Sequence, residues 1–235
     1  MKLLGRLSVH AVLGALAATC AVVAGCHAAR SATEKGPERE ATAARVTQPA
    51  KAVGTDPGHV GEVGRGAPLS PTGRDALAAF AAGCFWGVED AFRHVPGVVA
   101  TAVGFSGGHT SDPDYEKVCT HTTGHAETVL VEFDPARVPY EQLLRVFFKI
   151  HDPTQVDRQG PDFGDQYRSA IFTFDDEQAA AARAAKQAQE KASGERVATQ
   201  IRPMGAFYKA EDYHQQYAER TGSHSCPIRV DLDTL

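Results

Sequence analysis

The segment of this 235-residue chain with the clearest capacity for chemistry is Gly83-Cys84-Phe85-Trp86-Gly87. Cys84 follows a short apolar run, Leu77 to Ala82. It precedes a stretch whose apolar residues Val88, Ala91, Phe92 and Val95 recur at helical spacing. A thiol at a helix start meets the positive end of the helix dipole and unsatisfied backbone N–H groups. Both favour the thiolate, which is the reactive form. The flanking glycines permit a tight turn and close approach of a substrate. Phe85 and the chain's single tryptophan, Trp86, stand beside the thiol. They are either core aromatics or the lining of an apolar pocket for a small, methyl-bearing group.

Five cysteines are present, and only Cys84, Cys119 and Cys226 fall in the part with the pattern of a packed domain. Their spacing matches no zinc pattern and no CxxC motif. One structural disulfide with a spare thiol is the alternative use of three cysteines. His121 and His125 are four apart, which suits zinc only on a helix, and the Thr-Gly stretch between them breaks one. No metal and no cofactor are expected, and His125 is read as structural.

The elements around these residues follow from periodicity and turn chemistry. Leu77 to Ala82 reads as a strand, Gly87 to His94 as a helix stopped by Pro96-Gly97, and Val98 to Phe105 as a strand. Thr128 to Phe133 alternates as a buried strand, and Pro139 opens an amphipathic helix through Tyr140, Leu143, Leu144, Phe147 and Phe148. Ser169 to Phe174 is a strand, followed by an alanine-rich helix from Asp175-Asp176 to Ser193. Arg196 to Arg202 reads as a strand and Glu211 to Arg220 as a helix. The order βαββαβαβα predicts a single α+β domain over residues 73–235, a mixed β-sheet packed by helices with a ferredoxin-like core.

The chain resembles the A-type peptide-methionine (S)-S-oxide reductases, and the resemblance runs from about Phe80 to Cys226. It rests on Gly83 to Gly87, Gly104-Phe105-Ser106-Gly107-Gly108, Tyr115 with Val118-Cys119, and Thr123-Gly124-His125-Ala126-Glu127. His151-Asp152-Pro153, Gln166-Tyr167-Arg168-Ser169 and Tyr213-His214-Gln215-Gln216-Tyr217 extend it. The resemblance implies Cys84 as nucleophile and Glu127 as proton donor. It implies Tyr115 and Tyr167 as hydrogen-bond donors to the sulfoxide oxygen, Asp162 in the same polar cluster, and Phe85 and Trp86 around the substrate methyl group. The implied substrate is methionine S-sulfoxide, free or in proteins. A sulfoxide sulfur is a weak electrophile until its oxygen is protonated, and a carboxyl kept neutral by burial supplies that proton. Attack by Cys84 then releases methionine and leaves a sulfenic acid on sulfur. Cys226, in a polar tail, is expected to condense with it to a disulfide. Cys119, ahead of a packed strand, is expected to be buried and inert. A thioredoxin-like dithiol protein would restore the enzyme. Read alone, Glu127 would be a solvated strand-edge residue, Tyr115 and Tyr167 half-buried tyrosines, and Asp162 a turn residue. Phe105 stands where the resemblance implies tyrosine, a departure expected not to touch the chemistry.

Two rivals follow from the same residues. One is a cysteine hydrolase using Cys84, His125 and an acid, and the other a lipid-anchored binding protein with a static Cys84–Cys226 disulfide. A formal charge of -5 and a pI near 6.0 argue against a nucleic-acid-binding face. The chain is expected to be a monomer.

The N-terminus carries Lys2 and Arg6, then an apolar stretch ending in Val23-Ala24-Gly25-Cys26. That layout predicts a signal peptide over residues 1–25, with Cys26 lipidated as in bacterial lipoproteins. An uncleaved membrane anchor and a plain signal peptide are the alternatives. Residues 26–72 lack aromatics and sustained periodicity, and read as a disordered tether. The protein is therefore expected at the cell envelope, periplasmic or on the outer surface. Cells fed a labelled fatty acid should label the wild-type chain and not Cys26→Ser; equal labelling of the two excludes lipidation at this residue.

Overall fold

The computed structural model describes residues 71–223. Cys26 and Cys226 lie outside the described residues, as do the expected signal peptide and most of the expected tether. In chain order the elements are β1 (Ala76–Ala82), α1 (Phe85–Arg93), β2 (Val98–Ser106), α2 (Tyr115–Val118), β3 (Ala126–Phe133) and α3 (Tyr140–Lys149). A small hairpin follows, β4 (Arg158–Gln159) and β5 (Asp162–Phe163), with a single 3-10 turn at Asp165–Tyr167. Then come β6 (Ser169–Thr173), α4 (Asp176–Ser193), β7 (Gln200–Pro203), β8 (Phe207–Lys209) and α5 (Tyr217–Thr221).

Six strands form one sheet in the order β7-β6-β1-β3-β2-β8, antiparallel at every junction except β6 with β7. Its four central strands, β6-β1-β3-β2, are linked by α1 between β1 and β2 and by α3 between β3 and β6. This is the split βαβ arrangement of the expected ferredoxin-like core. Successive side chains point to opposite faces of a strand. Phe80, Val103, Val129, Val131 and Ile171 therefore share one buried cluster with the apolar sides of α1 and α3. Leu77, Ala79, Leu130, Phe172 and Phe207 form a second, on the opposite face. Phe80 is the centre of the first: fully buried, it stacks on Phe92 at 4.7 Å between ring centroids and lies 5.4 Å from Phe147.

Three boundaries differ most from those expected. Strand β3 begins at Ala126 rather than Thr128, so Glu127 lies inside a central strand, not at a solvated edge. The strand expected over 196–202 shrinks to β7, a parallel partner of β6. The helix expected over 211–220 shrinks to α5, because Gln216 adopts a left-handed backbone (φ 48°) that no α-helix can pass through. Replacing Phe80 with alanine removes the shared partner of three rings, Phe92, Tyr140 and Phe147. The cost should be about 3–5 kcal/mol in chemical denaturation, as for other buried phenylalanines; a loss below 1 kcal/mol would contradict this core assignment.

Candidate active site

Cys84 occupies the junction at which β1 gives way to α1. The turn is made at Gly83, whose φ of 98° lies in the region that favours glycine. A side chain there would also collide with Gln159, since a Cβ would come within 2.8 Å of that residue's Cβ and Cγ. The β4–β5 hairpin thereby packs directly against the turn that carries Cys84. Cys84 is the N-cap residue of α1 and is partly exposed.

Glu127 is 2% exposed, and its Oε2 accepts the backbone N–H of Phe85 at 2.9 Å. A helix leaves its first N–H groups without internal partners. Here one of them is taken by a carboxyl from the neighbouring strand, immediately beside the thiol. Phe105 is the cross-strand partner of Glu127, is fully buried, and lies 5.9 Å from the ring of Phe85. The phenylalanine that stands where the resemblance implies tyrosine thus faces Glu127 across the ladder. It is part of the apolar surroundings of the acid.

Three expected site residues meet in one aromatic cluster, and its hub is a residue the sequence reading left without a role. His214, 1% exposed, lies 5.1 Å from Phe85, 5.6 Å from Trp86 and 4.4 Å from Tyr115, ring to ring. Trp86 Nε1 donates to His214 Nδ1 at 3.0 Å, and Tyr217 stacks on the indole at 3.9 Å with a 10° tilt. Trp86 is thus held in its plane by a hydrogen bond at its edge and a ring on its face. Tyr115 opens α2, and its own N–H donates to Glu211 at 3.1 Å. The Tyr213 to Tyr217 segment was visible as a motif. Its part in holding Trp86 was not.

Tyr167 is 4% exposed and ends the 3-10 turn, which packs against β3. Asp162 pairs with Gln159 across the hairpin, on the side that meets Gly83, and burial raises its carboxyl above the usual range. It belongs to a strand rather than a simple turn. Cys119 follows α2 as its C-cap residue and is only partly buried, which corrects the expectation of a fully buried thiol.

The remaining motifs are structural ties. His125 is 2% exposed, accepts the Gly108 N–H at Nδ1 (3.2 Å), and its Nε2 lies 2.8 Å from the Thr110 carbonyl. Both ring nitrogens are occupied, so His125 cannot serve Cys84 as a base, and the hydrolase reading loses its histidine. Arg168 donates to the carbonyls of Gly124 and Asp165, joining the segment before Glu127 to the one holding Tyr167. His151 bridges the Phe147 carbonyl and the Ser169 hydroxyl, both at 2.7 Å, and burial lowers it to about 4.

A family model described as peptide methionine sulfoxide reductase matches residues 76–234. The chain belongs to this family. The peptide methionine sulfoxide reductase MsrA of Methanosarcina mazei is 63% identical over 147 residues, covering 62% of this chain and 70% of that protein. The MsrA of Geobacter sulfurreducens is 54% identical, over 63% of this chain and 93% of its own. Among solved structures, methionine sulfoxide reductase A of Corynebacterium diphtheriae superposes with a TM-score of 0.64 at 36% identity, over 78% of this chain and 94% of the other. Reduced Mxr1 of Saccharomyces cerevisiae gives 0.63 at 35%, over 67% and 92%. The protein is an oxidoreductase that reduces methionine sulfoxide.

In this reductase the state of His214 matters, because only an unprotonated Nδ1 can accept the indole N–H. Burial lowers His214 to about 4, below the ordinary 6.5. Its contribution to stability is therefore complete above about pH 6.5 and is lost as pH falls through about 4. Emission from Trp86, the single tryptophan, should change with a midpoint near pH 4, and His214→Phe should abolish the transition. A midpoint at 6.5 would mean that the ring is solvated.

Proposed function

We propose that the chain reduces the S epimer of methionine sulfoxide, free or in proteins, with Cys84 as nucleophile and Glu127 as acid. The contact that carries this reading is Phe85 N–H to Glu127, which sets a buried carboxyl at the same helix terminus as the thiol. Two negative charges at one helix end repel, so the pair is suited to hold a proton in common. Thiolate at Cys84 and acid at Glu127 is the useful division of that proton. Tyr115 and Tyr167 hydrogen-bond the sulfoxide oxygen as charge grows on it. Asp162 stands in the same polar group, and Phe85 and Trp86 enclose the methyl.

The cycle balances in three steps. Cys84 thiolate takes the sulfoxide oxygen with a proton from Glu127, giving methionine and a sulfenic acid. Cys226 thiol attacks that sulfenic acid, forming a Cys84–Cys226 disulfide and water. A thioredoxin-like dithiol then reduces the disulfide by exchange and is itself oxidised. The enzyme acts as a monomer, exported and held at the cell envelope by lipid on Cys26. After one equivalent of S-sulfoxide, mass spectrometry should find Cys84 joined to Cys226, and Glu127→Gln should slow that single turnover by about a hundredfold. A Cys84–Cys119 bridge would remove Cys226 from the cycle, and an undiminished glutamine variant would remove Glu127.

A further inference from the structure

The most elaborate polar cluster among the described residues lies away from the sulfur, between α1, β2 and α5. Glu89 is 1% exposed, Thr101 0%, Gln216 2% and Arg93 4%. Glu89 Oε2 accepts the Gln216 backbone N–H at 2.8 Å; Oε1 accepts the Gln216 side-chain amide at 3.2 Å and the Thr101 hydroxyl at 2.9 Å. The Thr101 hydroxyl in turn accepts from Arg93 Nη1 at 3.1 Å. Arg93 grips both carboxylate oxygens of Glu219 on α5, at 2.8 and 2.9 Å. A buried carboxyl meeting three donors is an expensive arrangement unless every partner is in place. The reduction chemistry uses none of these groups.

What the cluster holds is the backbone of Gln216. That residue sits in the left-handed region, uncommon for a side chain of its size, and it turns the chain into α5. Directly on either side are Gln215 and Tyr217; one residue further back is His214. Tyr217 covers the face of Trp86, and His214 takes its N–H. Glu89 lies one turn along α1 from Phe85 and Trp86, so a single helix carries both the pocket wall and the anchor that braces it from behind. Burial raises Glu89 to about 7, opposed by its bonds to Thr101 and Gln216 and by the charge of Arg93.

We propose that Glu89 is a positioning residue for sulfoxide reduction: by fixing the left-handed turn at Gln216 it keeps Tyr217 and His214 against Trp86, and so sets the wall of the methyl pocket. This rests on the assignment of Trp86 to that pocket. Glu89 touches neither substrate nor sulfur. Its removal should weaken substrate binding through Trp86, raising KM and leaving kcat nearly unchanged.

The test uses the full-length protein at pH 8 and blocked methionine S-sulfoxide. Because the chain has one tryptophan, its emission reports Trp86 alone. Glu89→Gln puts an amide N–H against at least one of the donors that Glu89 accepts. Emission should move to the red, quenching by acrylamide should rise, and KM should increase roughly tenfold, the scale of one lost apolar pocket contact. Unchanged emission in a cooperatively melting Glu89→Gln variant overturns the proposal. So does an unchanged KM when Trp86→Ala raises KM. If Trp86→Ala itself leaves KM unaltered, the pocket assignment fails and the role of Glu89 falls with it. Should Glu89→Gln not fold, Gln216→Gly replaces it: glycine suits the left-handed turn, retains the N–H and loses the side-chain bonds. The same shifts in emission and KM are then required.

Discussion

The hydrogen bond from Phe85 N–H to Glu127 joins two requirements that would otherwise be independent. One is where helix α1 begins; the other is the register of β3 against its neighbours. Strand β1 pairs with β3 so that Phe80 faces Val129, and this register runs on toward the end of β1, at which the chain turns through Gly83 into Cys84. Strand β2 pairs with β3 so that Phe105 faces Glu127. A slip of one residue in either ladder would carry Glu127 to the far side of the sheet, away from α1. The fully buried valines at 129 and 131, packed beneath the helices, make such a slip costly. Core packing thereby fixes the separation of acid and thiol.

The surroundings of that bond are graded. On one side lie Phe85 and Phe105, apolar and closed to water, with the partly buried Trp86 beside them, and this strengthens charge interactions there. On the other, the hairpin carrying Asp162 packs against Gly83, and the 3-10 turn that ends in Tyr167 packs against β3. Cys84 stands at the boundary, partly exposed. The substrate proposed for this site has the same division, with a methyl on one side of sulfur and a polarised oxygen on the other.

The parts of this arrangement legible in sequence were those governed by local rules. The β1–Gly83–α1 turn was readable from apolar runs and glycine, β2 and α3 from periodicity, and α4 from Asp175, whose side chain caps the Gln178 N–H at 2.7 Å. The strand pattern around Val129 and Val131 was readable too. Cross-strand partnership was not: nothing local says that position 105 will face position 127. The hairpin at 158–163 was also invisible, because its strands are two residues each and expose Phe163 beneath the Arg158 guanidinium. The polar site residues became legible only through the family resemblance, since a glutamate in an unplaced strand has no direction of its own.

The segment from Tyr213 to Tyr217 failed for a more instructive reason. Its polar residues invite assignment to a solvated helix, yet His214, Gln215 and Gln216 are buried consecutively, at 1%, 5% and 2% exposure. Three successive buried residues span about 200° of a helix, wider than the apolar stripe of an ordinary surface helix. Burial in sequence is possible here because each side chain finds backbone or buried partners. Gln215 accepts the Val103 N–H at 2.9 Å and donates to the Val103 and Ala210 carbonyls at 2.9 and 2.8 Å. It completes the edge of β2 where β8 has ended, as a further strand residue would. Gln216 goes to Glu89 and His214 to Trp86. Glutamine carries both donor and acceptor at the end of a flexible stem, which lets it replace a missing peptide group. A pair of them converts a polar surface motif into an internal brace behind His214 and Tyr217, the two rings that hold Trp86.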